Sequence, residues 1–239
     1  MGRPVEPITL GVVSFLNSRP LIDGLDADSG VSLHYDVPSA LPGLLRRGEV
    51  DASLIPVIDL ARSGGAWEPV SDACISSEGE TMTVRVFSKI PPDQMRVLYV
   101  DPDSHTSVAL AYLVWLHHYD RQLELRPLMD MPAEACESVL LIGDKVVTTP
   151  LMEHTYDIDL GGAWRGLTGL PFVFAVWAAP ARQAKPGLGK VLSAARDRGV
   201  SRAREIAREF APARGWPREL AEDYLTRTLS FTLTARHRE

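Results

Sequence analysis

Ile8-Thr9-Leu10-Gly11-Val12-Val13-Ser14-Phe15-Leu16-Asn17-Ser18-Arg19-Pro20-Leu21 passes from an alternating apolar run through a polar turn to a proline. Ile8, Leu10 and Val12 fall on one side of an extended chain, the period of a strand. Residues 14–19 have turn composition, and Pro20 is favoured at the first position of a helix. The stretch therefore predicts strand, loop, helix. The unit recurs immediately: a strand over 31–37, a helix over 40–47, a strand over 52–55 and a helix over 57–62 behind Pro56. Alternating β and α elements predict an α/β fold with mostly parallel sheets.

A second set follows, with a strand over 96–100, a strongly apolar helix over 107–118 and a strand over 138–142 that ends at Gly143-Asp144. Two further runs, 83–88 and 171–179, are extended, β-branched and aromatic, and read as crossings between two lobes. This divides the chain into a discontinuous lobe I, 1–87 with 176–239, and a lobe II, 88–175, with a ligand cleft between them. The tail, 188–236, shows helical spacing in three pieces broken at Gly199 and near Gly215-Trp216-Pro217, and is expected to return over lobe I. No internal repeat or low-complexity tract is present.

The chain has 239 residues, 45% of them apolar, which suffices for two modest cores. Its 31 acidic and 25 basic residues give a formal charge of -6, which argues against a nucleic-acid surface. The arginine-rich tail, interleaved with glutamates, reads as a solvated helical face laced with ion pairs. Cys74 and Cys136 lack CxxC spacing and are expected to be reduced. The first ten residues lack the features of a secretory signal, and no run of about 18 apolar residues could span a bilayer, so no membrane partner and a cytoplasmic location are the expectation.

Ligands of open α/β sheets bind beyond the carboxyl ends of strands, where helix N-termini present free N–H groups. Three loops qualify: 14–18 with Ser14 and Asn17, 103–107 with Ser104, Thr106 and Ser107, and Gly143-Asp144. The three hydroxyls of the second loop either cradle a carboxylate or cap a helix. Asn17 is a donor and acceptor for a ligand or a turn residue. Asp144 either orients a substrate hydroxyl or caps the next segment. Adjacent His117 and His118 point to different faces and cannot form an i, i+4 metal pair. The chain has no GxGxxG after a strand, no GxxxxGK[ST], no GxSxG and no HExxH, so dinucleotide, nucleotide, serine-hydrolase and zincin scaffolds are missing. The remaining chemistry is that of hydroxyls, amides and helix ends.

The run Val13-Ser14-Phe15-Leu16-Asn17-Ser18-Arg19-Pro20-Leu21 resembles the (Y/F)LNxxPL opening of the chorismate dehydratase family, which serves the futalosine route to menaquinone. Further segments are similar in order: Gly48-Glu49-Val50-Asp51-Ala52, Ile55-Pro56, residues 79–84, Thr106-Ser107-Val108, Leu141-Ile142-Gly143-Asp144, and Thr168-Gly169-Leu170-Pro171-Phe172-Val173-Phe174-Ala175-Val176-Trp177. The resemblance covers nearly the whole chain. It implies a two-lobed type II periplasmic-binding-protein-like fold used as a cytoplasmic enzyme. The implied reaction removes water from chorismate to give 3-[(1-carboxyvinyl)oxy]benzoate, with no cofactor and no metal. The two residues tied to catalysis in the family map to Asn17 and Thr83, the latter standing where the family carries Ser. Substrate-binding roles are expected for Ser14, Ser104, Thr106, Ser107, Gly143 and Asp144, in a monomer or homodimer. The alternatives are the later enzyme that forms 1,4-dihydroxy-6-naphthoate, a non-catalytic binding protein for a small carboxylate, and the effector domain of a regulator.

Overall fold

The computed structural model describes residues 7–25, 30–129 and 131–239. Residues 1–6, which begin the expected lobe I and the stretch searched for a signal, lie outside the described residues. The first unit is β1 (Ile8–Val13), a 3-10 helix (Leu16–Leu21), β2 (Val31–Asp36), α1 (Leu41–Arg46), β3 (Ala52–Pro56), α2 (Val57–Arg62) and β4 (Trp67–Ser77). The second comprises β5 (Val84–Ser88), β6 (Val97–Val100), α3 (Thr106–His118), β7 (Glu124–Pro127), β8 (Ser138–Ile142), α4 (Asp144–Thr148), β9 (Tyr156–Asp159) and α5 (Leu160–Thr168). The chain then returns through β10 (Phe172–Pro180), α6 (Leu188–Ser201), α7 (Ala203–Phe210), α8 (Arg218–Asp223), a π-helical turn (Tyr224–Thr228) and β11 (Ser230–Thr232).

Two sheets result, one in the order β11-β4-β10-β3-β1-β2 and the other β7-β6-β8-β5-β9. The α/β fold with two layered units is as expected, but the sheets are mixed rather than mostly parallel. β1 runs parallel to β2 and β3, and β6 to β7 and β8, whereas β10 runs against β3 and β4, and β5 against β8 and β9. The crossings explain the reversal. β5 and β10 both start at the cleft, where β1, β3, β6 and β8 finish, so they must run the opposite way. Val84–Ser88 lies wholly in the second sheet and Phe172–Pro180 in the first, so the crossings fall at 78–83 and 169–171 instead of within those strands.

β3 is buried along its entire length and β8 likewise, as strands covered on both faces must be. Leu54 of β3 sits with Leu10 and Trp177 in the first unit, and Leu140 of β8 with Leu98 and Trp115 in the second, all without solvent exposure. Trp115 Nε1 donates to the Pro92 carbonyl at 2.9 Å, so the buried indole is satisfied.

Three local expectations are corrected. No α-helix starts at Pro20; the 3-10 helix encloses it, because Ser18 Oγ donates back to the carbonyls of Val13 (2.5 Å) and Phe15 (3.0 Å) and tightens the turn. Gly199 does not break the tail helix: α6 runs through it to Ser201. The tail also contains a strand, β11, ahead of a last 3-10 turn (Arg236–Arg238), and it pairs with β4, a strand that Pro69 and Asp72 had hidden from a propensity reading. As expected, α6 packs over the first unit, and Cys74 and Cys136 are free and buried. Among the described residues no helix is long and apolar enough to cross a membrane.

Candidate active site

The cleft between the two sheets opens about 510 Å³ of space, its mouth included. The ends of β1, β3 and β8, the start of β5 and the N-terminus of α3 converge on it. Its apolar walls include Val13, Phe15, Ile75, Ile142 and Phe174. Its polar groups are Asn17, Thr81, Thr83, Ser104, Thr106, Ser107 and Tyr224. Among the described residues no Asp, Glu, His, Lys or Arg lines it.

Of the residues expected at the site, Asn17, Thr83, Ser104, Thr106, Ser107 and Gly143 meet here. Asn17 is carried on the 3-10 helix, and its Oδ1 is buried with no hydrogen-bond partner among the described residues. Ser104 Oγ accepts the Ser107 N–H at 3.1 Å, the capping arrangement, while remaining on the cleft wall. Thr106 Oγ1 spans the two units, accepting from Ile58 N–H and donating to the Phe174 carbonyl, both at 3.4 Å. The Gly143 N–H donates to the Thr83 carbonyl at 2.9 Å, and a Cβ on Gly143 would lie 2.5 Å from the Phe15 ring. Only a glycine admits that ring, and its φ of +60° suits one as well.

Ser14 and Asp144, also expected at the site, do not line the cleft. Ser14 is engaged through its backbone, its N–H donating to the Asp36 carbonyl at 3.0 Å and its carbonyl accepting from Arg214 Nη2 at 3.4 Å. The Asp144 carboxylate turns away from the cleft to Leu16 N–H (3.2 Å), Trp216 Nε1 (3.0 Å) and Arg214 Nε (3.6 Å). Burial raises its pKa above the usual carboxylate range, against the Leu16, Trp216 and Arg214 contacts.

Tyr224 and Asp159 escaped the sequence reading. The Tyr224 hydroxyl lies 2.6 Å from Thr83 Oγ1 and is fully buried. Burial pushes the phenol far above its ordinary value, with the hydrogen-bonding side chains of Thr83 and Asn17 opposing. Burial thus favours the neutral phenol, and either hydroxyl can donate to the other. The signal for it was the apolar spacing of Ala221, Tyr224 and Leu225, which sets the tyrosine on the buried stripe of its turn. Asp159 accepts from the N–H groups of Thr81 (3.0 and 3.1 Å), Met82 (2.7 Å) and Gly162 (3.0 Å), and so fixes the loop that delivers Thr83.

Two α/β units closed on an interlobe cleft define a protein with a periplasmic-binding-protein-like fold. A Candida albicans protein described as exhibiting the generic periplasmic binding protein structural fold is similar at a TM-score of 0.61 and 14% identity, over 96% of this chain and 83% of that one. The alkanesulfonate-binding protein SsuA from Xanthomonas axonopodis pv. citri, solved with MOPS bound, gives a TM-score of 0.68 at 14% identity, over 96% of this chain and 87% of that one. Within this class, the chain belongs to the menaquinone biosynthesis family, whose model matches residues 8–239. It is 30% identical over 246 residues to the chorismate dehydratase of Thermus thermophilus, covering 92% of this chain and 88% of that protein. The family read from the opening motif is thus borne out.

Proposed function

We propose that the chain is a cytoplasmic hydro-lyase that converts chorismate to 3-[(1-carboxyvinyl)oxy]benzoate in menaquinone biosynthesis, using no cofactor. The observation that carries this reading is a cleft rich in hydroxyls and lined, among the described residues, by no Asp, Glu, His, Lys or Arg, in a chain 30% identical to a chorismate dehydratase.

The chemistry fits such a cleft. The chorismate C3–H is acidified through the ring diene by the ring carboxylate, and loss of the C4 hydroxyl makes the ring aromatic. The ring carboxylate sits at the start of α3, where the Ser107 hydroxyl, the uncommitted first-turn N–H groups and the Thr106 hydroxyl, once it turns from the Phe174 carbonyl, stabilise the charge that develops during C3 deprotonation. The proton passes to the substrate's own enolpyruvyl carboxylate, held by Asn17 and Thr83. The C3–H electrons form the new ring bond as the C4–O bond breaks, and the carboxylate's proton leaves with the hydroxyl as water. Substrate and product carry the same charge, so atoms and protons balance. Tyr224 holds the Thr83 hydroxyl.

The test is to mix purified protein with chorismate and follow the absorbance of the aromatic product, without added metal or nucleotide. Conversion is expected, and Asn17→Ala should lower kcat by about 10²-fold, as loss of one such donor commonly does. Untouched chorismate would overturn the reading, and an unchanged kcat for Asn17→Ala would remove Asn17 from the mechanism.

A further inference from the structure

We infer that Asp144 is a positioning residue, which ties the segments bearing three of the cleft's polar residues, Asn17, Thr83 and Tyr224, into one closed circuit without entering the cleft; the inference rests on the dehydratase reading. The circuit can be followed atom by atom. Asp144 Oδ1 accepts from Leu16 N–H at 3.2 Å, one residue ahead of Asn17. The same oxygen accepts from Trp216 Nε1 at 3.0 Å. The Trp216 ring stacks on Tyr224 with centroids 5.0 Å apart and planes 23° apart. The Tyr224 hydroxyl meets Thr83 Oγ1 at 2.6 Å. The Thr83 carbonyl accepts from Gly143 N–H at 2.9 Å, which returns the path to the residue beside Asp144.

Each link carries a cleft group. Leu16 sets the 3-10 helix that bears Asn17, Trp216 sets Tyr224, and Tyr224 sets Thr83. Asp144 starts the helix that follows β8 of the second sheet, whereas Leu16 follows β1 of the first sheet and Trp216 lies in the tail that returns over it. The circuit therefore closes only when the two units are seated on each other, and seating and alignment of Asn17 and Thr83 become one event. A role as cleft base is incompatible with this geometry: Oδ1 is shared by two N–H donors, Oδ2 faces Arg214 Nε at 3.6 Å, and the carboxylate does not line the cleft.

Three variants test it: Asp144→Ala removes the acceptor, Asp144→Asn keeps an oxygen there without the charge, and Trp216→Phe keeps a ring on Tyr224 without the donor. With chorismate as substrate, Asp144→Ala should lose roughly 10²-fold in kcat with KM within about threefold of wild type, the cost of misplacing groups that align reactants. Asp144→Asn should recover most of that loss, and Trp216→Phe should fall between. A kcat for Asp144→Ala within about twofold of wild type, a loss carried wholly by KM, or Asp144→Asn as slow as Asp144→Ala would each overturn the proposal. A second readout needs no turnover. Near-ultraviolet circular dichroism of the free protein contains a Trp216–Tyr224 contribution, defined by Trp216→Phe, which Asp144→Ala should lose and Asp144→Asn should keep. Should wild type leave chorismate unchanged, the reaction reading fails and this spectrum alone decides the circuit: a contribution retained in Asp144→Ala overturns it. Should Asp144→Ala not fold, the kinetic comparison passes to Trp216→Phe, whose unchanged kcat would equally overturn the proposal.

Discussion

Met82 holds a left-handed backbone, φ 66°, that costs a side-chain-bearing residue about 1 kcal/mol or more. It persists because the buried Asp159 carboxylate collects the consecutive N–H groups of Thr81 and Met82 just ahead of Thr83. Asp159→Asn would leave at least one of these amides facing an NH2 group. Its stability should fall by about 2 kcal/mol, read as a lower urea midpoint, and kcat should fall with it. Adding Met82→Gly should restore part of the stability, because glycine adopts that φ freely. An unchanged midpoint in Asp159→Asn would refute the account. Asp159 was not legible in the sequence, because the donors that give it meaning lie 77 and 78 residues away. Asn17 and Thr83 were legible, through the opening motif and the crossing segment.

At the scale of elements, Gly199 separates composition from packing. As a glycine near the middle of a helical pattern it reads as a break, yet α6 continues through it. Its purpose is close approach: a Cβ there would lie 1.9 Å from the Pro20 carbonyl oxygen and 2.6 Å from the Pro20 Cα. Gly→Ala inside an exposed helix stabilises by up to about 1 kcal/mol, whereas here the overlap with backbone dominates. Gly199→Ala should destabilise by about 2 to 3 kcal/mol in chemical denaturation. It should also lower kcat, because the displaced 3-10 helix carries Asn17; a gain in stability would contradict the packing argument. The charged tail behaves largely as its composition suggests, with surface pairs such as Arg208 to Glu222 at 2.8 Å and Arg202 to Glu205 at 2.9 Å. Arg196, like Arg214 beside Asp144, is an exception. It is buried against Asp72, the Phe231 carbonyl and Thr232 Oγ1, and joins α6 to β4 and β11.

At the scale of the molecule, the two units meet through polar contacts that ring the cleft. Ser39 N–H donates to the Asp103 carbonyl at 3.1 Å, His105 Nδ1 lies 2.8 Å from Asp59 Oδ2, and Thr106 bridges Ile58 and Phe174. Contacts of this kind can open and reform, as a cleft that admits and then encloses a ligand requires. A ligand that binds only the closed form stabilises the fold by mass action, about 2.7 kcal/mol at a hundredfold excess over Kd. For a chain of this size that corresponds to a rise in Tm of roughly 5–10 °C. The aromatic product should produce it in a thermal melt, and a flat response at saturating product would count against closure around this cleft.

The amino-acid sequence by itself determined the repeated strand and helix units, the polar loops at the strand ends and the family motif, because these depend on neighbours a few residues apart. The direction of β5 and β10, the use of Gly199, the withdrawal of Asp144 from the cleft and the arrival of Tyr224 beside Thr83 were decided only by tertiary structure. The Tyr224–Thr83 bond joins residues 141 apart in the chain, and the Asp144–Leu16 bond residues 128 apart. Local propensity carries no information about such pairs; they exist because the returning tail and the second unit are both packed against the same 3-10 helix.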